Sequence, residues 1–180
     1  KITERFPQML VGAGTVLNQE QVKAAMDSGA AFIVSPGFNP KVVDYCIQCD
    51  IPIIPGVCCP SEVEAAMERG LKTVKFFPAE ASGGIDYLKA LWGPYRDMNF
   101  IPTGGINADN LNDYLRHEKI VACGGSWMVK PQMIKNHEFE KIESLTKEAV
   151  DRMLGLRITS IDFSVGKREG VGELDSPLRG

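Results

Sequence analysis

The sequence predicts an α/β protein with a parallel sheet, of the (β/α)8 TIM-barrel type, and three observations carry that reading. Short apolar runs alternate with amphipathic stretches along most of the 180 residues, as in repeated βαβ units. Nearly every run ends in a small-residue turn, and in a barrel such C-terminal strand ends jointly build the active site. The glycine fingerprint of a dinucleotide-binding sheet is missing, because Leu17 stands where a third glycine should follow Gly12 and Gly14. About six units can be counted by pattern, against eight in a closed barrel and six in an open doubly wound sheet. The turns decide for the barrel.

Taken in order, the expected strands are Met9–Ala13, Ala31–Val34, Ile51–Ile54, Thr73–Phe77, Phe100–Pro102 and Ile120–Cys123. Each is a short apolar run bounded by glycine, proline or a polar cluster. The intervening helices are expected to begin near Asn18, Asn39, Ser61, Gly84, Asn107 and His137. Asn18, Ser61 and Asn107 fit N-caps, and Ser61-Glu-Val-Glu64 fits a capping box. These units make one barrel domain over residues 1–154. Residues 155–180 form a C-terminal extension: Leu156–Val165 as one strand, then a polar, glycine-rich tail expected to be loosely ordered. The first residues, Ile2–Pro7, read as the tail of a helix, so further chain is expected upstream of Lys1.

Composition narrows the function classes. A formal net charge of -3 with interspersed signs argues against a general nucleic-acid or membrane-surface binder. No apolar run is long enough to cross a bilayer. The five cysteines, Cys46, Cys49, Cys58, Cys59 and Cys123, are odd in number and irregular in spacing, so they read as buried thiols in a reducing cytoplasm. Neither His117 nor His137 has zinc-site spacing, so no metal site is expected.

The candidate chemistry centres on Lys75, in the strand-like run Lys72–Pro78. A charged side chain in a buried strand is costly unless it is paired or neutralised. Burial favours the neutral amine, which is nucleophilic toward carbonyls. On this segment alone the better reading is plainer, with Lys75 reaching the sheet rim or pairing with Glu80. Two glycine turns shift the balance. Thr103-Gly-Gly105 and Gly124-Gly-Ser126 end the last two counted strands. Glycines let backbone N–H groups approach an anion closely, and barrels often hold phosphate after their last two strands. Strand alternation puts Thr73, Lys75 and Phe77 on one face. A carbonyl at Lys75 and a phosphate at Gly104, Gly105 and Ser126 then outline a phosphorylated keto acid, with Thr15 and Pro36 across from them.

These residues also carry a resemblance. From about Leu10 to Val150 the sequence resembles the 2-keto-3-deoxy-6-phosphogluconate aldolases, which also act as 4-hydroxy-2-oxoglutarate aldolases. The matching segments are Val11-Gly-Ala-Gly-Thr-Val16, Ile33-Val-Ser-Pro-Gly37, Ile54-Pro-Gly56, Val74-Lys-Phe-Phe-Pro-Ala-Glu80, Pro102-Thr-Gly-Gly-Ile106 and Gly124-Gly-Ser-Trp127. The resemblance implies a class I aldolase that uses neither metal nor other cofactor. Lys75 forms the Schiff base with pyruvate, and Thr15 and Pro36 contact substrate. Gly104, Gly105 and Ser126 hold phosphate, with Thr103 and Phe77 completing the substrate site. Phe76 and Phe77 are expected to keep it apolar. The resemblance further implies a homotrimer, to which charge and cysteine usage add a cytoplasmic location with no nucleic-acid or membrane partner. It also implies that two βα units precede Gly12, the second supplying a proton-shuttling glutamate and a substrate-binding arginine. Those units lie outside this sequence, so the chain by itself is expected to be a weak catalyst. Two other readings stand beside it: a different phosphate-binding barrel enzyme such as an isomerase or epimerase, or an impaired fragment that only binds anions.

Overall fold

The computed structural model describes residues 2–165, with side chains described for residues 2–155. Two compact units divide between Lys130 and Pro131.

The first unit is α/β with parallel strands. Its elements in order are α1 (Ile2–Arg5), β1 (Gly12–Ala13), α2 (Gln19–Asp27), β2 (Phe32–Val34), α3 (Pro40–Gln48), β3 (Ile53–Ile54), β4 (Gly56–Val57), α4 (Pro60–Glu68), β5 (Thr73–Phe76), α5 (Gly84–Trp92), β6 (Asn99–Pro102) and α6 (Leu111–Leu115). The strands pair in parallel in the orders β1-β2-β3 and β4-β5-β6. The expected strand Ile51–Ile54 is observed as β3, pairing Ile53 with Ile33, and the chain continues past its expected end into β4, which pairs Gly56 with Lys75. The break falls at Pro55, which has no N–H to give a ladder. Its carbonyl still accepts from Lys75 N–H at 2.9 Å, which stitches the two sets together. The run Ile120–Cys123 forms no regular strand. It contributes the isolated parallel bridges Phe100–Ile120 and Thr103–Gly124 beside β6.

The helices begin where local chemistry lets them. Asn18 caps α2 by accepting from Gln21 N–H, and Asn39 caps α3 just ahead of Pro40. The Ser61 cap is corrected: Cys59 is the N-cap of α4 and Pro60 opens the helix. Proline fits the first helical position because that N–H has no intrahelical partner. The shift breaks the expected capping box. Glu62 accepts from Cys58 N–H at 2.7 Å, while Glu64 accepts from the Tyr95 hydroxyl. Asn107 does accept from Asp109 and Asn110 N–H, but only a turn follows it, and α6 starts at Leu111.

Burial follows the strand period. Ile33, Val43, Val74, Phe76, Leu88 and Phe100 are wholly excluded from solvent. Val22, Val42, Val43 and Cys46 from α2 and α3 pack in one cluster with Ile33 and Ile53. Of the five cysteines, all free thiols, only Cys46 is buried. The expectation of buried thiols therefore fails at Cys49, Cys58, Cys59 and Cys123, which are half-buried.

The second unit, described to Val165, comprises α7 (Pro131–Lys135), which the sequence pattern did not suggest, and α8 (Phe139–Val165). The strand expected over residues 156–165 is helix instead, and the boundary expected after residue 154 falls within α8. No proline interrupts the segment, an isolated Gly155 is tolerated inside a helix, and extending a formed helix adds a hydrogen bond per residue without a new nucleus. The expected loose tail lies outside the described residues. Among the described residues, no helix is long and apolar enough to cross a membrane.

Candidate active site

Lys75 sits in the middle of β5, paired with Gly56 of β4 on one side and Ile101 of β6 on the other. Val74 and Phe76 point to the buried face, and Thr73 and Lys75 to the half-buried one. Phe76 stacks on Tyr87 of α5 with ring centroids 6.0 Å apart. Phe76 therefore belongs to the strand–helix core and does not line the site, which corrects the expectation for that residue. Its neighbour Phe77 does: its ring centroid lies 4.4 Å from Lys75 Nζ.

The Lys75 face looks into a cavity of about 600 Å³ whose lining includes Val34, Ile54, Ile101, Thr103 and Gly124. Among the described lining residues Lys75 alone is charged. Burial holds its amine below the ordinary lysine value. The ring of Phe77 acts in the other direction, since an aromatic face attracts a cation by roughly 0.5–1 kcal/mol at exposed sites. Desolvation is the larger effect. Among the described residues no ion pair joins Lys75 to Glu80, whose carboxylate instead accepts from the Tyr114 hydroxyl.

Thr103 follows β6 and shares the cavity wall. Its Oγ1 is buried and has no hydrogen-bond partner, an arrangement that ordinarily costs about 1–3 kcal/mol. The two glycine turns adjoin here. Gly124 N–H donates to Pro102 O at 3.0 Å, and a Cβ at Gly124 would come within 2.4 Å of Thr103 Cγ2. Gly104 and Gly105 both hold positive φ, +91° and +86°, a region that L side chains enter only under strain. Their carbonyls are tied back. Glu80 N–H donates to Gly104 O at 3.0 Å, and Asn110 Nδ2 donates to Gly105 O at 3.1 Å. In a planar peptide the N–H points opposite to the C=O, so the N–H groups of Gly105 and Ile106 face away from those partners. Among the described hydrogen bonds, neither of these N–H groups has one. Because α6 begins only at Leu111, these loop amides, and not a helix N-terminus, are the donors on offer.

The remaining expected site residues are spread around the same end of the parallel strands. Thr15, Pro36 and Ser126 each lie in the loop after a strand or bridge, but none lines the cavity. Thr15 and Ser126 are exposed and Pro36 is half-buried. A Cβ at Gly56 would fall 2.0 Å from Pro36 O, so glycine there lets the Pro36 turn lie directly on β4. The sequence reading missed the support of the Gly104–Gly105 turn, namely Asn107, Asn110 and Tyr114. The Asn-x-x-Asn spacing after the double glycine was the one available signal.

The family model described as "KDPG and KHG aldolase" matches residues 1–145. A Haemophilus influenzae protein named 2-dehydro-3-deoxy-phosphogluconate aldolase is 50% identical over 145 residues, covering 81% of this chain and 68% of its own length. The Escherichia coli KHG/KDPG aldolase is 41% identical over 150 residues, covering 83% of this chain and 70% of its own. Among solved structures, a Legionella pneumophila KDPG aldolase, captured with pyruvate as a covalent carbinolamine, superposes with a TM-score of 0.77. It is 38% identical, covering 85% of this chain and 71% of that one. A Zymomonas mobilis 2-keto-3-deoxy-6-phosphogluconate aldolase, solved with 3-phosphoglycerate, gives a TM-score of 0.74 at 37% identity, covering 82% and 69%.

Proposed function

We propose that this chain, which belongs to the family of KDPG and KHG aldolases, cleaves 2-keto-3-deoxy-6-phosphogluconate to pyruvate and glyceraldehyde 3-phosphate. The same site cleaves 4-hydroxy-2-oxoglutarate to pyruvate and glyoxylate. The observation that carries this reading beyond the family is Lys75, a lysine with lowered pKa and the lone charge on the described wall of an otherwise apolar cavity.

Lys75 Nζ, as the free amine, adds to the C2 carbonyl of the keto acid. The resulting carbinolamine loses water to give a protonated imine. A general base removes the C4 hydroxyl proton. The C3–C4 bond breaks, the aldehyde leaves, and the bonding pair moves through C3 to the imine nitrogen, forming an enamine. C3 then takes a proton, and water hydrolyses the imine to release pyruvate and the free lysine. Phe77 closes one side of the amine, while burial of Lys75 as a whole disfavours its charged form. Thr103 Oγ1 supplies a hydrogen bond to the bound keto acid, which supports reading its missing partner as a functional feature. Thr15 and Pro36 flank the substrate. The N–H groups of the Gly104–Gly105 turn, with Ser126, receive the phosphate, and two αL glycines with carbonyls turned away support that role.

With β3 and β4 as one staggered crossing and the bridged run 120–124 as the last, the parallel strands occupy six positions of a (β/α)8 wall, a reading supported by coverage of about 70% of the structural neighbours. A homotrimer, which rests on the resemblance, and a cytoplasmic location, which rests on charge and cysteine usage, complete the proposal. The test is a coupled assay for pyruvate release from 2-keto-3-deoxy-6-phosphogluconate, with and without prior incubation in pyruvate and borohydride. The expected result is activity that is lost only when pyruvate and borohydride are present together. Activity that survives this treatment would exclude the imine route.

A further inference from the structure

We infer that Glu80 and Tyr114 are positioning residues for phosphate recognition, acting as a strut beneath the Gly104–Gly105 turn. The inference rests on the proposed phosphate role of that turn and adds to it two residues that do not touch substrate.

Glu80 meets the turn at two points and is anchored at a third. Its N–H donates to Gly104 O at 3.0 Å. Its side chain lies flat under Gly105, where an added Cβ would come within 2.5 Å of Glu80 Cγ and 2.6 Å of Glu80 Cβ. Its carboxylate then reaches past the glycine to accept from the Tyr114 hydroxyl. Tyr114 is 1% exposed, near the C-terminal end of α6. A carboxylate on an exposed loop residue is thus anchored to a fully buried ring 34 positions further along the chain. Hydrogen bonds to charged groups are about twice as strong as neutral ones. Gly84 keeps the corner narrow, because a Cβ there would lie 3.3 Å from Glu80 Oε1 and 3.5 Å from the Tyr114 hydroxyl. On the far side of the turn Asn110 and Asn107 both donate to Gly105 O.

The consequence is directional. Two consecutive positive-φ glycines have more conformational freedom than any other pair, and free rotation would swing the Gly105 and Ile106 N–H groups off a bound anion. Tying Gly104 O to one side and Gly105 O to the other fixes both peptide planes. A donor already aimed at its ligand binds more tightly, because less ordering is left to do on binding. Glu80 acts through the turn rather than on the reacting atoms, so its loss should weaken phosphate recognition and spare imine formation.

The test is aldol condensation of pyruvate with two acceptors, glyceraldehyde 3-phosphate and unphosphorylated glyceraldehyde. It compares the protein with its Tyr114→Phe, Glu80→Gln and Glu80→Ala variants, and thermal unfolding reports whether each has folded. Tyr114→Phe and Glu80→Ala should raise KM for the phosphorylated acceptor by about 10-fold, the scale of one lost hydrogen bond to a charged group. KM for glyceraldehyde should change by less than about 2-fold, and borohydride trapping of pyruvate should persist. Glu80→Gln, whose amide oxygen can still accept from Tyr114, should recover most of the loss. If the folded variants lose both acceptors equally, or neither, the strut is structural and the inference fails while the phosphate reading stands. If the unaltered protein itself does not distinguish the two acceptors, the phosphate reading fails and the inference fails with it.

Discussion

The two faces of β5 differ in kind although they share one backbone. Val74 and Phe76 are wholly buried, and Phe76 stacks on a helix. Thr73 and Lys75, each one residue away, stay partly open, and Lys75 lines a cavity of about 600 Å³. The first face is filled to stability, with branched and aromatic side chains against α5. The second is left empty, with an amine and, just past the neighbouring strand, the Thr103 hydroxyl that has no partner. A protein that places costly groups in a hole lined by its parallel strands gives up stability there for chemistry. Substitutions on the two faces should therefore separate activity from stability.

The sharpest separation is expected at Lys75. Lys75→Met should lower kcat by at least about 10³-fold, as removal of a covalent nucleophile does. Its melting temperature should hold or rise. Burial lowers the Lys75 pKa, so the unfolded chain binds more protons than the folded one between the lowered value and the ordinary one. Stability therefore increases with pH across that window, and below it the buried ammonium is a liability that methionine removes. The same shift makes the rate of imine formation climb with pH toward a plateau reached below the ordinary lysine pKa. A stopped-flow pH profile of trapping checks both the sign and the position.

The opposite result is expected at Phe76. Phe76→Ala should cost about 3–5 kcal/mol in denaturant unfolding, as loss of a fully buried aromatic does. Each molecule that remains folded should keep imine chemistry at Lys75. A Phe76 variant that is stable but cannot be trapped would put that ring in the site after all.

Gly105 lies between these extremes. Gly105→Ala meets Glu80 Cγ at 2.5 Å and must hold φ at +86°, strain of order 1–3 kcal/mol. A calorimetric scan should show that loss. KM for the phosphorylated substrate should rise more than KM for 4-hydroxy-2-oxoglutarate, since the turn moves as the strain is relieved.

The smallest and most diagnostic change is Thr103→Val. It removes a buried hydroxyl that has no partner and keeps the shape, so stability should stay level or rise by about 1 kcal/mol. KM for the keto acid should rise in the same protein. Lower stability with unchanged KM would mean that Thr103 serves the fold.

Much of this contrast was legible in the residues themselves. A period of two is enough to put Lys75 and Val74 on opposite faces, and glycine pairs announce turns whose backbone no other residue adopts. The failures came where contacts cross long stretches of chain or compete locally. No pattern says that the chain resumes after Pro55 as a strand of a second sheet, or that Pro60 rather than Ser61 sets the start of α4. Phe76 and Phe77 look alike as letters, and alternation already placed them apart, yet Phe76 was expected in the site because its neighbour belonged there. Tyr114 reaches Glu80 across the fold, so no local spacing could have shown the strut. The apolar residues over 156–165 suggested a strand because Gly155 read as a boundary, and helix propagation overrode it.

The reaction of Lys75 with pyruvate tests the central claim most directly. The protein is incubated with pyruvate and sodium borohydride, digested, and its peptides weighed. The expected result is one reduced pyruvyl adduct, on the peptide carrying Lys75, absent without pyruvate and absent in Lys75→Arg, whose guanidinium stays protonated. An adduct on another lysine, or none from a protein that still releases pyruvate from 2-keto-3-deoxy-6-phosphogluconate, would contradict the assignment.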